Sequence, residues 1–258
     1  IMTPAVADLD GDGVPEIIFV SHPTGNGGGT NGVLRAISGA TGAELFTNTT
    51  VLLEGISQIA VGDIDGDGRP EIVAVRTGGS LVAFEHDGTL KWTSPVLGTL
   101  VYGGPAIADL DGNGQPEIIM ANSVLNADGT RRWTGAGGRG DYLNLGGLPI
   151  VADIDLDGVP EVIAGNTAYR ANGTILWQNT AVGDGFTAVA NFDSDPEPEI
   201  VLVTNGLLYL LSHTGTIQWG PVVIPGGRGG SPTVADMDGD GKPEIGVASY
   251  YSYTVFED

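Results

Sequence analysis

The sequence predicts an all-β protein, a β-propeller built from six four-stranded antiparallel blades. One motif recurs six times along the 258 residues at intervals of 38 to 55 residues, centred near 45, which is the length of a propeller blade. Glycine occurs 43 times, far above its usual ~7%, and this excess indicates many tight turns between short strands. No stretch shows a 3.6-residue apolar period, so we expect almost no helix.

The repeated motif is an acidic loop between two apolar segments. It has the form D-x-D-x-D-G-x-x-E, and its first copy runs from Asp8 to Glu16. Strand A precedes the acidic loop and strand B follows it at once, so the loop joins the first two strands of each repeat. The later copies begin at Asp63, Asp109, Asp153, Asn191 and Asp236.

Two further strands complete each repeat. Strand C is short and alternating, as at 81–84, and a turn such as Asp87-Gly88 follows it, because Asp-Gly and Asn-Gly favour hairpins. Strand D then carries an aromatic residue four positions after the turn glycine. Because these aromatic residues recur at one place in successive repeats, we expect them to pack between blades rather than stack on sugars. They are Phe46, Trp92, Trp133, Trp177 and Trp219.

The repeat also sets the predicted blade boundaries. We assign residues 1–258 to a single propeller domain with approximate blades 1–53, 54–100, 101–145, 146–183, 184–228 and 229–258. The sixth repeat stops where the others enter the turn after strand C, so a ring of six lacks only one outer strand. A seven-bladed ring would lack a further whole blade. A β-solenoid is the other architecture, but its rungs are usually shorter than ~45 residues.

The acidic loop has the donors of a cation site. Side-chain oxygens stand at positions 1, 3, 5 and 9, the backbone carbonyl of position 7 can add another, and glycine at position 6 permits a sharp turn. Ca²⁺ takes six to eight oxygen ligands at ~2.3–2.6 Å, whereas Mg²⁺ demands a stricter octahedron. Without a cation, the carboxylates of one loop would repel one another. The sequence therefore predicts up to six bound Ca²⁺ ions.

Each repeat contributes four predicted calcium ligands. We expect the fifth loop, Asn191–Glu199, to be the weakest site, because Asn191 adds no charge and Pro196, with φ fixed near −65°, replaces the position-6 glycine. The third loop ranks second weakest because it has an asparagine at position 5. The fourth loop has Leu156 at position 4, where the three other loops with four acidic ligands have glycine, but its ligand set is complete. The full set is Asp8, Asp10, Asp12, Glu16, Asp63, Asp65, Asp67, Glu71, Asp109, Asp111, Asn113, Glu117, Asp153, Asp155, Asp157, Glu161, Asn191, Asp193, Asp195, Glu199, Asp236, Asp238, Asp240 and Glu244.

Charge and composition exclude several classes of partner. The chain has 32 acidic and 10 basic residues and a net charge of −22, which argues against nucleic acid and anionic membrane surfaces. Twenty-two of the acids are predicted ligands, so six Ca²⁺ ions would reduce the charge to −10. The chain has no cysteine and therefore neither disulfides nor thiolate metal sites. No apolar run approaches the ~20 residues of a membrane span, so we expect no membrane insertion.

The acidic loops and their spacing resemble those of the FG-GAP/VCBS repeat family, to which the integrin α-subunit head belongs. The likeness covers essentially the whole chain. It implies a propeller whose A–B loops bind structural Ca²⁺ through the side chains given above. The sequence departs from the family pattern because it lacks clear F-G and G-A-P signatures and has glutamate rather than aspartate at position 9.

Recognition is the function that these features favour. The three histidines, His22, His86 and His213, belong to no catalytic motif, so we expect no enzyme; the propeller of a polysaccharide lyase is the less favoured alternative. Exposed calcium loops would fill outside the cell and stay largely empty at cytosolic calcium levels. We therefore expect an extracellular or cell-surface module for adhesion, recognition or scaffolding, with a carbohydrate-binding lectin as the alternative.

The partner, a protein or a glycan, is expected on the face opposite the calcium loops. Antiparallel strands place the A–B and C–D loops on one face and the B–C and D–A loops on the other. This second face collects aromatic and polar residues that suit recognition, and a glycine-rich insertion at 24–31. Its residues are Arg76, Tyr102, Asn122, Arg139, Tyr142, Asn166, Asn205, Arg228, Tyr250 and Tyr251.

Overall fold

The computed structural model describes residues 3–22, 31–141, 143 and 146–257, and every regular element within these ranges is a β-strand. Tyr142 and most of the glycine-rich insertion lie outside the described residues. The chain divides into two compact units, Ile1–Trp133 and Thr134–Asp258. Over the described ranges we find no helix long and apolar enough to cross a membrane. The all-β prediction is therefore confirmed.

The first unit contains three successive sets of four antiparallel strands, each in the predicted order A, B, C, D. Its strands are β1 Ala5–Ala7, β2 Glu16–Ser21, β3 Gly32–Ser38, β4 Glu44–Leu53, β5 Ala60–Gly62, β6 Glu71–Arg76, β7 Ser80–Phe84, β8 Leu90–Thr93, β9 Ala106–Ala108, β10 Glu117–Met120, β11 Ser123–Leu125 and β12 Arg131–Thr134. The first two sets join into one eight-stranded sheet, because the long strand β4 also pairs with β6 through Leu53 and Arg76. The third set is a separate four-stranded sheet.

The second unit contains two four-stranded sheets and one three-stranded sheet. Its strands are β13 Ile150–Ala152, β14 Glu161–Ala164, β15 Thr167–Tyr169, β16 Ile175–Gln178, β17 Phe186–Ala190, β18 Glu199–Thr204, β19 Leu207–Leu211, β20 Ile217–Val223, β21 Thr233–Ala235, β22 Glu244–Ala248 and β23 Tyr253–Phe256. The last sheet holds strands A, B and C. The predicted four-strand repeat is therefore found, and the described residues of the sixth copy form strands A, B and C.

Strand B of the second and fifth repeats is buried on both faces because its side chains alternate between two apolar cores. Ile72 and Ala74 of β6 pack with apolar residues of β2, β3 and β4, whereas Val73 and Val75 pack with residues of β10 and β11. In the second unit β18 divides its side chains in the same way between β14 and β22. This follows from the two-residue period of a strand. Within each unit, neighbouring sheets thus pack face to face.

The strand-D aromatic residues join neighbouring sheets, as predicted for packing between blades. Trp92 Nε1 donates a hydrogen bond of 2.8 Å to the carbonyl of Ala127, in the C–D turn of the next sheet, and its ring packs against Gly129 of that turn. Trp177 does the same in the second unit, with 2.7 Å to the His213 carbonyl. A side chain at Gly129 would collide with the indole ring, so the turn glycine is needed for this contact as well as for its φ of +80°.

Candidate metal centres and the second face

The position-9 glutamate of every acidic loop is the first residue of strand B, and its side chain is buried. Its exposure ranges from 0% for Glu71 and Glu199 to 6% for Glu244. In all six loops one carboxylate oxygen, Oε2, accepts the backbone N–H of position 2 at 2.6–3.1 Å. This bond holds the buried carboxylate against the start of the acidic loop. A buried carboxylate needs such partners because desolvation penalises its charge.

The position-1 aspartate fixes the opposite side of the loop. In five loops its Oδ2 accepts the N–H of the position-6 glycine at 2.8–3.0 Å. These glycines have φ between 84° and 93°, which is the left-handed region that side chains avoid. The predicted need for glycine at position 6 is therefore explained. Backbone donors of this kind, chiefly the N–H of Gly114, hold the pKa of Asp109 below its usual value.

The loop carboxylates lie close enough to share one cation. In the sixth loop, oxygens of Asp236, Asp238, Asp240 and Glu244 all lie within 4.8 Å of one another. Ligands at ~2.4 Å from a single Ca²⁺ are separated by at most about twice that distance. Residues at positions 1, 3 and 9 meet the same limit in the first four loops. The donor set is all oxygen, so the residues fit Ca²⁺.

The fifth loop follows a different path, as its proline suggested. Pro196 has no N–H to donate to position 1, and φ at this residue is not positive. The side-chain amide of Asn191 donates instead to the carbonyl of Asp195. Burial, together with the charges of Asp193 and Asp195, raises the pKa of Glu199, although the N–H of Phe192 and the side chain of Gln218 oppose the shift.

The fourth loop keeps its ligands but carries two signs of strain. Leu156 at position 4 has φ of 58°, where a β-carbon clashes with the backbone. Burial, together with the charges of Asp155, Asp157 and Asp153, raises the pKa of Glu161 to about 7, although the N–H of Ile154 opposes the shift. A cation among these carboxylates would offset their mutual repulsion and favour the ionised form of Glu161.

Two basic residues that the sequence analysis missed contact the second and third loops. Lys91 Nζ lies 2.6 Å from Asp65 Oδ2, 3.5 Å from Glu71 Oε1 and 3.0 Å from Glu85 Oε1. Burial opposes its charge, but these bonds outweigh that effect and raise the pKa of Lys91. Arg132 makes the same contacts to Asp111, at 2.7 Å, and to Glu117 in the third loop.

A β-bulge explains how Lys91 reaches the loop. In the ladder between β7 and β8, Ala83 pairs with Trp92 and Phe84 pairs with Leu90, so Lys91 has no partner across the ladder. A bulge re-aims the side chain of its extra residue. Three other pairs of strands C and D skip the equivalent residue, which is uncharged there: Leu45, Leu176 and Gln218. The sequence does show a basic residue directly before the strand-D tryptophan in the second and third repeats. Its contact with the acidic loop could not be predicted, because the spacing from the turn glycine does not reveal the bulge.

The second face retains some of its predicted recognition residues. Tyr102, Tyr250 and Tyr251 are exposed, and so is Arg228. Asn122 and Asn166 are buried instead, and the Asn166 amide donates to the Val182 carbonyl at 3.0 Å. Both are the second residue of a B–C turn, and the bond from Asn166 shows that this side chain supports the following D–A loop rather than facing a partner.

Comparison with protein families identifies the repeat. The model described as an FG-GAP-like repeat matches residues 8–74, 63–120 and 191–247, which together cover more than half of the chain. Each match spans two successive acidic loops. A search of curated protein sequences found no significant match.

Comparison with solved structures finds similar folds in larger proteins. The biofilm matrix protein Bap1 of V. cholerae superposes with a TM-score of 0.77 and 28% identity over 91% of this chain. The exotype rhamnogalacturonan lyase YesX gives 0.71 and 22% over 95%, and a rhamnogalacturonan lyase of Bacillus licheniformis gives 0.69 and 24% over 95%. The chain spans 41%, 53% and 54% of these three proteins, respectively. Its likeness to the two lyases is one of fold.

Proposed function

Because the chain belongs to the FG-GAP-like repeat family, we propose that it is an extracellular, calcium-stabilised β-propeller that serves as a non-catalytic module for adhesion, recognition or scaffolding. The observation that carries this proposal is the convergence of four carboxylates in the sixth loop and of three in each of the first four. A Ca²⁺ ion at each of these clusters, which recur at one place in successive repeats, would offset the repulsion among the carboxylates.

The proposed Ca²⁺ ions would bind between the acidic loop and the start of strand B. Positions 1, 3 and 9 would supply carboxylates and position 7 a carbonyl, while position 5 would join them as Asp240 does in the sixth loop. The ion's chemistry would be structural, because it would tie strand A to the buried glutamate of strand B. We rank the fifth loop as the weakest site.

The propeller architecture is part of the proposal. Face-to-face packing of successive sheets within each unit supports it, since stacked blades cover both faces of each sheet. We propose six blades in one domain. An experimental electron-density map of the full chain would test ring closure and blade number, and a solenoid or a seven-fold ring would contradict the proposal.

Calcium dependence gives the main experiment. A ligand at ~100 times its dissociation constant adds about 2.7 kcal/mol per site, so several sites filled at millimolar Ca²⁺ should raise the melting temperature by about 10 °C or more. Thermal unfolding in EGTA, in Ca²⁺ and in Mg²⁺ measures this shift. A calcium-induced shift below about 3 °C would contradict structural Ca²⁺ binding.

A matched pair of variants tests the assignment of ligands. Asp236→Asn with Asp238→Asn removes two carboxylates from the sixth loop and should lower the calcium stoichiometry by one. Glu44→Gln removes a charge from an exposed strand-D residue paired with Arg35 and should leave the stoichiometry unchanged. Calorimetric titration of the metal-free chain counts the sites. Equal stoichiometry in both variants would show that the sixth loop holds no Ca²⁺.

Localisation rests on the same affinity argument. Exposed loops of moderate affinity would be largely empty in cytosol and filled outside the cell. The similarity to a biofilm matrix protein supports an extracellular setting. Fractionation of native cells tests it, and a stable, metal-free cytosolic protein would contradict it.

A propeller belonging to a polysaccharide lyase is the alternative function, favoured by the fold similarity to two rhamnogalacturonan lyases. Incubation with rhamnogalacturonan and Ca²⁺, followed by ultraviolet detection of unsaturated products, separates the two functions. We expect no product, whereas calcium-dependent product formation would establish the lyase alternative.

A further inference from the structure

A polar pocket opens on the second face of the second unit, away from the acidic loops. Its volume is about 410 Å³, within the ~300–1,000 Å³ of ligand pockets. Its wall comes from the D–A loops that precede β13, β17 and β21 and from the B–C turn after β18. The residues that line it include Asp141, Leu143, Asp184, Thr204, Asn205 and Arg228.

Arg228 is held in this pocket at the expense of backbone strain. It has φ of 59° and stands in a run of four residues with positive φ, of which the other three are Gly226, Gly227 and Gly229. Glycine adopts positive φ freely, whereas arginine does not, so Arg228 holds a backbone conformation that its side chain disfavours. Strained residues of this kind cluster at ligand sites.

The guanidinium of Arg228 has no carboxylate partner among the described residues. Its contact is Tyr250, whose ring centroid lies 5.6 Å from Cζ and whose hydroxyl lies 3.5 Å from one guanidinium nitrogen. An arginine in this state presents donors that suit a planar carboxylate.

Two carboxylates in the lining of the pocket are held by backbone donors. Asp184 accepts backbone N–H bonds from Arg139, Gly140 and Gly185 at 2.6, 3.1 and 2.9 Å. Asp141 accepts those of Leu143 and of residue 146 at 2.9 and 3.2 Å. These bonds hold both carboxylates in place, and Oδ2 of Asp184, which accepts one of the three bonds to that residue, has a second lone pair that can accept a hydroxyl group.

Exposed aromatic rings stand beside the pocket. Tyr250 and Tyr251 are 65% and 89% exposed, and their ring centroids lie 5.8 Å apart. Both belong to the turn that the Ser249 N–H closes on the Ser252 carbonyl. Exposed aromatic faces with polar tips are typical of recognition surfaces. One cation, several acceptors and an aromatic ring together match a ligand with one negative group, several hydroxyl donors and a C–H face.

We propose that this pocket binds a saccharide unit that carries a carboxylate, with the carboxylate at Arg228, hydroxyl groups toward Asn205 and Asp184, and the ring face beside Tyr250. The inference rests on the proposed recognition function and gives it a ligand class. An acidic peptide would also offer a carboxylate, but it would bring few hydroxyl donors to the acceptors that line the pocket.

The test compares a charged ligand with its neutral ester. Trimers of galacturonic acid and of mannuronic acid, and their methyl esters, are titrated into the full chain in millimolar Ca²⁺, with binding followed by calorimetry and amide chemical shifts. We expect at least one acid to bind at least tenfold more tightly than its ester. Equal binding of acid and ester, or no binding of either acid, would overturn the proposal, and so would binding of an acidic peptide alone.

Variants assign the binding to the pocket. Arg228→Gly removes the guanidinium and relieves the strained φ, so it should keep the melting temperature while weakening binding at least tenfold. Arg170→Ala makes the same change of charge in the C–D turn of β15 and β16 and should alter affinity less than twofold. Wild-type affinity in Arg228→Gly would refute the pocket. Calcium-dependent stability is measured separately, so failure of the calcium proposal would be recognised independently of sugar binding.

Discussion

Replacing Lys91 by leucine should strengthen calcium binding at the second loop. Nζ lies 2.6 Å from Asp65 and 3.5 Å from Glu71, so an ion sharing these two carboxylates would stand about 5 Å from the ammonium. At that distance charges of +1 and +2 repel by about 1.7 kcal/mol in water and by about 7 kcal/mol at an effective dielectric constant of 20. The lysine can swing into solvent, so the lower figure governs, and we expect roughly tenfold tighter binding.

Site-resolved titration measures this effect. The amide resonance of Gly68, whose N–H is bonded to Asp63, reports the second loop, and that of Gly158 reports the fourth loop in the same sample. The fourth loop of the Lys91→Leu variant should keep its wild-type affinity. Metal-free stability should fall at the same time, because the buried Glu71 loses its cation.

The reverse substitution is the matched control. Leu176 occupies the equivalent bulge position near the fourth loop. Leu176→Lys should therefore weaken calcium binding there by about tenfold and leave the second loop unchanged. Affinities that stay within twofold of wild type in both variants would refute the electrostatic reasoning.

Three further predictions concern individual loops. Leu156→Gly should stabilise the chain by about 1 kcal/mol in urea unfolding, because it removes a strained φ; a loss of stability would contradict this. The pKa of Glu161 is raised from 4.5 to about 7, so the metal-free chain should be most stable below about pH 4.5, where this carboxyl group is protonated in both states. Its free energy of unfolding should fall as the pH rises through 7, by about 3 kcal/mol at most. Calcium affinity at this loop should rise over the same range, and a pH-independent affinity would refute the shift. Asn191→Asp with Pro196→Gly should give the fifth loop an affinity like that of the first; an unchanged titration would show that the proline is not the cause.

Much of the fold was predictable because its signals are local. The position-6 glycine, the glutamate that opens strand B and the aromatic residue after each turn all lie within one repeat. Their positions predicted the strand order, the acidic loops and the packing role of Trp92 and Trp177, which the structure bears out. The distinct path of the fifth loop was also visible in Pro196, since proline removes both a positive φ and an N–H.

The parts that escaped prediction depend on contacts between strands distant in sequence. Lys91 reaches the second loop, 20 residues earlier at Glu71, only because a bulge turns its side chain. Asp141 and Asp184 carry no motif, and they become pocket residues because two separate D–A loops meet. From the sequence, Asn166 is a polar loop residue suited to recognition, yet in the structure it is buried and donates to the Val182 carbonyl in the next D–A loop.

The link between a strand-D aromatic and the next turn has an evolutionary consequence. Phe46 packs on Gly88, and Trp177 packs on Gly215. A repeat that has both elements therefore offers an aromatic ring to the repeat that follows it and a turn glycine to the repeat that precedes it. Excising or duplicating such a repeat would bring a strand-D aromatic ring against a matching turn glycine without any compensating substitution. We therefore expect this interface to tolerate the gain or loss of whole repeats. A deletion that begins or ends within a repeat would instead leave a turn glycine without its aromatic ring, or an aromatic ring without its turn.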